Sequence, residues 1–283
     1  MFVTPTEHRT LPINGVDLHV VLAGSGRPLL LLHGWPDSAE LWRLMIPSLV
    51  AAGYCVIAPD HKGFGRSGAP ADEASYRIDE LAWDAVCVLD ALGIEQADVI
   101  GHDWGGLIGW RMCADYPERV RRYVTLSVGH PGAYSAGGIM QLLKAWYVLL
   151  FQWRGVAEAI MRAFDFGILR AFTREAEARA HWIPDMARPG RLTAGMNLYR
   201  ANFDLLTGGD LRRVGVPVLG VYGGGDLALT ERQMAISGRF MDAPFRYQRL
   251  ERVGHWLPLH APEVVSRLAL DFFAEGARPA ALA

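Results

Sequence analysis

Residues 97–106, Ala-Asp-Val-Ile-Gly-His-Asp-Trp-Gly-Gly, constrain this chain more than any other stretch. Ala97–Ile100 reads as a short apolar strand, and Leu107–Tyr116 as a helix. Small residues two before and two after Asp103 permit a sharp strand-to-helix turn, which lifts the central side chain above a sheet and sets it at a helix N-terminus. The usual form of this turn has serine at its centre; here aspartate stands there. Backbone N–H groups and the helix dipole would stabilise that carboxylate. It suits attack on an sp³ carbon, giving an ester that water later cleaves. Read by itself, Asp103 is also an ordinary helix N-cap.

The surrounding sequence alternates strand and helix signals. Leu18–Leu22 and Leu29–Leu32 are apolar runs, the second ending in His33-Gly34-Trp35-Pro36. A helix is expected over Ser38–Ala52, with Asp37 or Ser38 as its cap and Pro47 as a point of breakage or kinking. Tyr54–Ala58 reads as a strand, Ile78–Leu92 as a helix stopped by Gly93, and Val120–Val128 as a further strand. Such alternation predicts an α/β protein, a mostly parallel sheet flanked by helices. From His130 to about Arg213 the chain is rich in Trp, Phe, Met and Arg and reads as helices without strands. Sheet signals resume at Val216–Tyr222 and Phe245–Leu250, and a last helix covers Pro262–Phe273. The expected organisation is therefore a core of residues 1–129 and 214–283 with a helical insertion over 130–213, and a loose tail from Gly276.

Composition narrows the class further. With 283 residues and 51% hydrophobic content, the chain can bury a large core, and disorder is excluded. Its 28 basic and 30 acidic residues leave a net charge of −2, which offers no field for nucleic acid or an anionic membrane. Cys55, Cys87 and Cys113 are odd in number and lack metal spacing, so buried free thiols in a reducing compartment are expected. Met1–Thr10 has no basic stretch followed by an apolar one. The longest apolar stretch, Ile139–Trp153, is interrupted by Gln141, Lys144 and Gln152 and falls short of the ~20 residues that span a bilayer. A cytoplasmic protein without stable membrane insertion is the expectation.

Two further segments accompany Asp103. Val216–Tyr222 runs into Gly223-Gly224-Gly225-Asp226, an acid just past a strand, and Val253-Gly254-His255-Trp256 follows the last strand. Nucleophile, acid and histidine, each at a strand's carboxyl edge, follow the order of a catalytic triad, in which His255 can face the turn and Asp226 can fix its tautomer, whereas His255 read alone is an ordinary loop residue. The Trp35 N–H can join that of Trp104 in binding an oxyanion. His33 and His102 read as structural histidines near the site, and the sequence leaves the isomer of the Trp35–Pro36 bond open.

The whole chain resembles the epoxide hydrolases of the α/β-hydrolase fold, which carry a helical cap between the sixth and seventh core strands. Gly-His-Asp-Trp-Gly-Gly at 101–106 is similar to that family's nucleophile segment, and its His-Gly-x-Pro motif is matched with Trp35 where Phe is more usual. Haloalkane dehalogenases also use an aspartate, so the cap makes the distinction. The family places two cap tyrosines over the nucleophile to hold and protonate the epoxide oxygen. Tyr147-Val148-Leu149-Leu150-Phe151-Gln152 resembles the segment carrying the first, and Asn197-Leu198-Tyr199-Arg200 the segment carrying the second. Without the resemblance both tyrosines read as packing residues. The resemblance implies alkylation of Asp103 by an epoxide held by Tyr147 and Tyr199, then hydrolysis by water activated by His255 and Asp226, with neither metal nor organic cofactor.

Three alternatives share the core. A haloalkane dehalogenase would use Trp104 as one halide donor, but Trp35 stands where the family's second donor, an Asn, would be. A fluoroacetate-type dehalogenase clamps a carboxylate with arginines, at positions occupied here by Trp104 and Leu107. A non-catalytic ligand receptor on the same scaffold has no need of Asp103, Asp226 and His255 together. The Trp-, Phe-, Leu- and Met-rich cap points to a small lipophilic epoxide, and an exposed cap or edge strand could support a homodimer.

Overall fold

Asn14 and Gly15 both take positive φ, 48° and 77°, and close a two-residue hairpin between β1 (Glu7–Ile13) and β2 (Val16–Ala23). The computed structural model that shows this describes residues 4–172, 176–205 and 211–275. Sequence reading found β2 and missed β1. Only Ile13 of β1 is buried, so this edge strand carries no apolar alternation.

The sheet continues through β3 (Arg27–Leu32), β4 (Tyr54–Pro59), β5 (Ala97–His102), β6 (Val120–Leu126), β7 (Val218–Gly223) and β8 (Phe245–Leu250). Its eight strands lie in the order β1-β2-β4-β3-β5-β6-β7-β8. β2 pairs antiparallel with β1 and β4, and β3 to β8 are parallel. All of β5 and the last four residues of β3 are buried, as expected of central parallel strands covered on both faces.

The helix expected over Ser38–Ala52 is two pieces. Ser38 caps a 3₁₀ segment, Ala39–Leu44, and α1 (Ile46–Ala51) follows. The break falls at Met45, and Pro47 sits in the first turn of α1, where its missing N–H leaves no helical bond unmade. α2 (Ile78–Ala91) ends as expected, with Gly93 at φ 69° just beyond its cap. α3 (Trp104–Asp115) begins three residues before the expected start, because the Asp103 carbonyl already accepts from the N–H groups of Gly106 and Leu107.

Between β6 and β7 the described residues form helices and no strand: α4 (Gly138–Lys144), α5 (Trp146–Phe151), α6 (Val156–Phe172), α7 (Ala176–Ala187) and α8 (Arg191–Ala201). α6 is interrupted by non-helical backbone at 163–166. These helices pack over the carboxyl edge of the sheet, where Tyr199 of α8 meets Trp104 edge to face at 4.9 Å. Their outer surface exposes Ile139, Leu142, Leu143, Leu149 and Trp153. After β7 come α9 (Glu231–Ala235), α10 (Leu257–His260) and α11 (Pro262–Ala274). Among the described residues no helix is long and apolar enough to cross a membrane. Cys113 is buried, but Cys55 and Cys87 are only half-buried, short of the burial expected for all three. The tail from Gly276 lies outside the described residues.

Candidate active site

Asp103 joins β5 to α3 with φ 52° and ψ −120°, a backbone state that costs an L-residue on the order of 1–3 kcal/mol. Its neighbours explain the glycines around it. A Cβ on Gly105 would lie 2.0 Å from the Leu32 carbonyl oxygen, and one on Gly101 2.4 Å from that of Gly105. Only at these side-chain-free positions can helix and strand approach closely enough to present the central residue upward. No side-chain cap bond ties Asp103 to α3, so the ordinary N-cap reading does not describe it.

The strand ends bring the other residues to it. Trp35 follows β3, and its backbone N–H donates to Asp103 Oδ1 at 2.8 Å. Gly34 is required beside it, since a Cβ there would stand 2.4 Å from Asp103 Cβ. The Trp35–Pro36 bond is cis. Asp226, just beyond β7, and His255, between β8 and α10, are both buried. His255 Nδ1 donates to Asp226 Oδ2 at 2.8 Å, while Nε2 faces Asp103 Oδ2 at 3.6 Å. One Asp103 oxygen is thus held by a backbone amide and the other faces the imidazole. His102 Nε2 donates to the His255 carbonyl at 3.0 Å, and His33 Nε2 accepts from the His61 N–H. Burial lowers both of these histidines, His102 to about 4, so they are neutral braces.

Charge in the site follows from this geometry. Burial opposes a charged His255, but the Asp226 carboxylate and the contacts with Asp103 outweigh it and carry its pKa from 6.5 up to about 10. Burial also acts to raise Asp103; His255, His102 and the Trp35 N–H overcome it and hold the carboxyl below its usual value. The folded chain therefore binds the His255 proton more tightly than the unfolded chain does. That contribution to stability is full below about pH 6.5 and is lost as the pH rises through about 10. The unfolding midpoint of wild type should fall over this range, and His255→Gln should flatten the fall. Parallel curves for the two proteins, followed by circular dichroism, would refute the assignment.

Tyr147 on α5 and Tyr199 on α8 line one pocket with Asp103, Trp104, Leu107, Val128, Val148 and Leu229. Their rings meet edge to face at 5.7 Å. Burial, with the Asp103 charge adding to it, raises both phenols well above their ordinary value, so both remain protonated donors.

Sequence reading gave two polar residues nearby no part in the site, Tyr134 and Asp37, the latter taken only as a helix cap. Tyr134, in the turn after β6, lines the same pocket, and only its position after the strand marked it. The buried Asp37 carboxylate accepts from the Trp182 indole of α7 at 2.7 Å and from the indole of Trp256, next to His255, at 3.1 Å. Burial pushes Asp37 up to about 7 even against these bonds. Its partners are 145 and 219 residues away, beyond any local signal.

A family model described as alpha/beta hydrolase fold matches residues 27–262, the class that the sheet order and the Asp103 turn define. Epoxide hydrolase 2 of Siraitia grosvenorii is 39% identical over 184 residues, covering 63% of this chain and 58% of that protein. Epoxide hydrolase A of Mycobacterium tuberculosis is 32% identical over 317 residues, covering 95% of this chain and 97% of that one. The crystal structure of Epoxide Hydrolase A from Mycobacterium thermoresistibile has a TM-score of 0.80 at 29% identity, covering 95% of this chain and 98% of its own. The chain belongs to the α/β-hydrolase fold family and, within it, to the epoxide hydrolases.

Proposed function

We propose that this protein hydrolyses a small lipophilic epoxide to the vicinal diol through an ester on Asp103. The observation that carries this reading is the shared pocket, in which two protonated tyrosines stand in the same chamber as an ionised aspartate. In the first step Asp103 Oδ2 attacks a ring carbon and the ring C–O bond breaks. Tyr147 or Tyr199 gives its proton to the departing oxygen, because an alkoxide is a poor leaving group in an apolar pocket.

Alkylation removes the Asp103 charge, and with it part of what held the proton on His255. His255 then returns a proton to the tyrosinate through solvent and becomes a neutral base, oriented by Asp226. It takes a proton from water as that water attacks Asp103 Cγ. Oxyanion charge develops on Oδ1, where the Trp35 N–H already donates, and the Trp104 N–H is the second donor. Collapse releases the diol and restores the Asp103 carboxylate beside protonated His255. Water and side chains supply every atom and proton transferred.

Purified protein should form diols from aryl or alkyl epoxides, separated by chromatography, and release no halide from haloalkanes in parallel. Halide without diol would make it a dehalogenase that uses the same Asp103. Neither product would favour a ligand receptor on this scaffold.

A further inference from the structure

The loop that carries Asp226 is held by a helix of the insertion. Gln141 and Lys144 stand three residues apart on α4, hence on one helix face. Lys144 Nζ donates to the carbonyls of Asp226 at 2.5 Å and Leu229 at 2.7 Å. Gln141, only 2% exposed, donates from Nε2 to the Ala228 carbonyl at 3.1 Å and the Tyr134 hydroxyl at 3.2 Å. Its Oε1 accepts from the Thr230 backbone N–H at 2.9 Å and from Thr230 Oγ1 at 3.1 Å. All four hydrogen-bonding positions of the amide are thereby used. Gly137, just before α4, permits this approach, since a Cβ there would stand 2.5 Å from Thr230 Oγ1.

The loop folds inward on its own acid. Asp226 Oδ1 accepts from the N–H groups of Ala228 at 2.7 Å and Leu229 at 2.9 Å, leaving Oδ2 for His255. The chain of contact therefore runs from α4 through the backbone of 226–230 to the Asp226 carboxylate and on to the imidazole. α5, which follows α4 after Ala145 alone, carries Tyr147. The same stretch of chain thus carries both the proposed donor for ring opening and the clamp behind the hydrolytic base.

We propose that Gln141 and Lys144 are positioning residues for the second half-reaction: they lock the Asp226 loop to the insertion and so set the orientation of His255 without touching substrate. The inference rests on the two-step reading given above. Because the clamp lies behind the acid, its loss slows ester hydrolysis and leaves alkylation intact. The kinetic consequence is a lower kcat with kcat/KM retained, since kcat/KM reports the steps through alkylation.

The test uses the whole chain with Lys144→Met, Gln141→Leu and the conservative Lys144→Arg, all against an epoxide that wild type turns over. Rapid quench with intact-mass detection separates ester formation from ester loss. Ester loss should slow roughly 10- to 100-fold in Lys144→Met and Gln141→Leu, the loss seen when hydrogen bonds that orient metal-ligating side chains are removed. Ester formation should stay at the wild-type rate, and Lys144→Arg should recover hydrolysis. Equal loss of both steps, or unchanged hydrolysis, would overturn the proposal. A second readout needs no substrate: the low-field proton resonance of His255 Nδ1–H, assigned by its absence from His255→Gln. It should shift or broaden in Lys144→Met and return in Lys144→Arg; an unchanged resonance would overturn the clamp. Should His255→Gln trap no ester from any epoxide, the two-step reading fails by itself, and the resonance still decides whether α4 positions the histidine.

Discussion

Replacing His255 by glutamine will stop the protein after one chemical event and leave Asp103 esterified. In the proposed mechanism ring opening consumes the Asp103 charge and needs a donor for the departing oxygen, a part assigned to the two tyrosines. Hydrolysis needs a base beside the new ester, and the imidazole Nε2, 3.6 Å from Asp103 Oδ2, is the group so placed. Glutamine fills much of the same space and cannot take a proton from water. Loss of such a base costs typically 10²- to 10⁴-fold, enough for the ester to survive into intact-mass measurement. With an epoxide the protein should gain the full mass of the substrate. A gain of a haloalkane minus its hydrogen halide would transfer the protein to dehalogenase chemistry, and no adduct from either class would point to a substrate outside both classes or to a ligand receptor.

The second large effect belongs to the tyrosines. In the combined Tyr147→Phe and Tyr199→Phe variant, alkylation should fall by about 10²- to 10⁴-fold, because the ring oxygen then leaves without a proton. The fold should be kept, since phenylalanine preserves the edge-to-face contacts of Tyr199 with Trp104, Phe151 and Trp35. Each single variant keeps one donor and should lose less. Measuring adduct formation in the His255→Gln background isolates this step from hydrolysis. Alkylation near the wild-type rate in the double variant would refute a role for the hydroxyls.

What was legible beforehand had local physical causes. The turn around Asp103 announces itself because a strand can enter a helix this sharply only where Cβ atoms are absent, and Gly101 and Gly105 meet that need within a few residues. Asp226 and His255 could be found because parallel α/β architecture places loops after strands on one edge, so chain order stands in for spatial proximity. The inserted helices showed themselves by the change in residue pattern after β6. The missed first strand also had a local mark, since Asn14-Gly15 is a strong two-residue hairpin signal. An exposed edge strand carries no apolar alternation, so the hairpin signal stands without it. The single helix expected over Ser38–Ala52 failed for the opposite reason, as its apolar pattern runs on across the joint at Met45.

The sequence by itself determined the parallel strands of the sheet, the strained turn and the order of the three residues around it, because each depends on sterics within a few residues or on the topology of parallel strands. It named the tyrosines only through resemblance. The tertiary structure alone decided that Tyr147 and Tyr199 share a pocket with Asp103, that Asp37 joins two indoles, and that Gln141 and Lys144 grip the loop behind Asp226. These contacts span dozens to hundreds of residues, and they exist only once the insertion has docked on the sheet. Hydrogen bonds of that kind are set by packed surfaces meeting in three dimensions, where neither periodicity nor spacing along the chain has any hold.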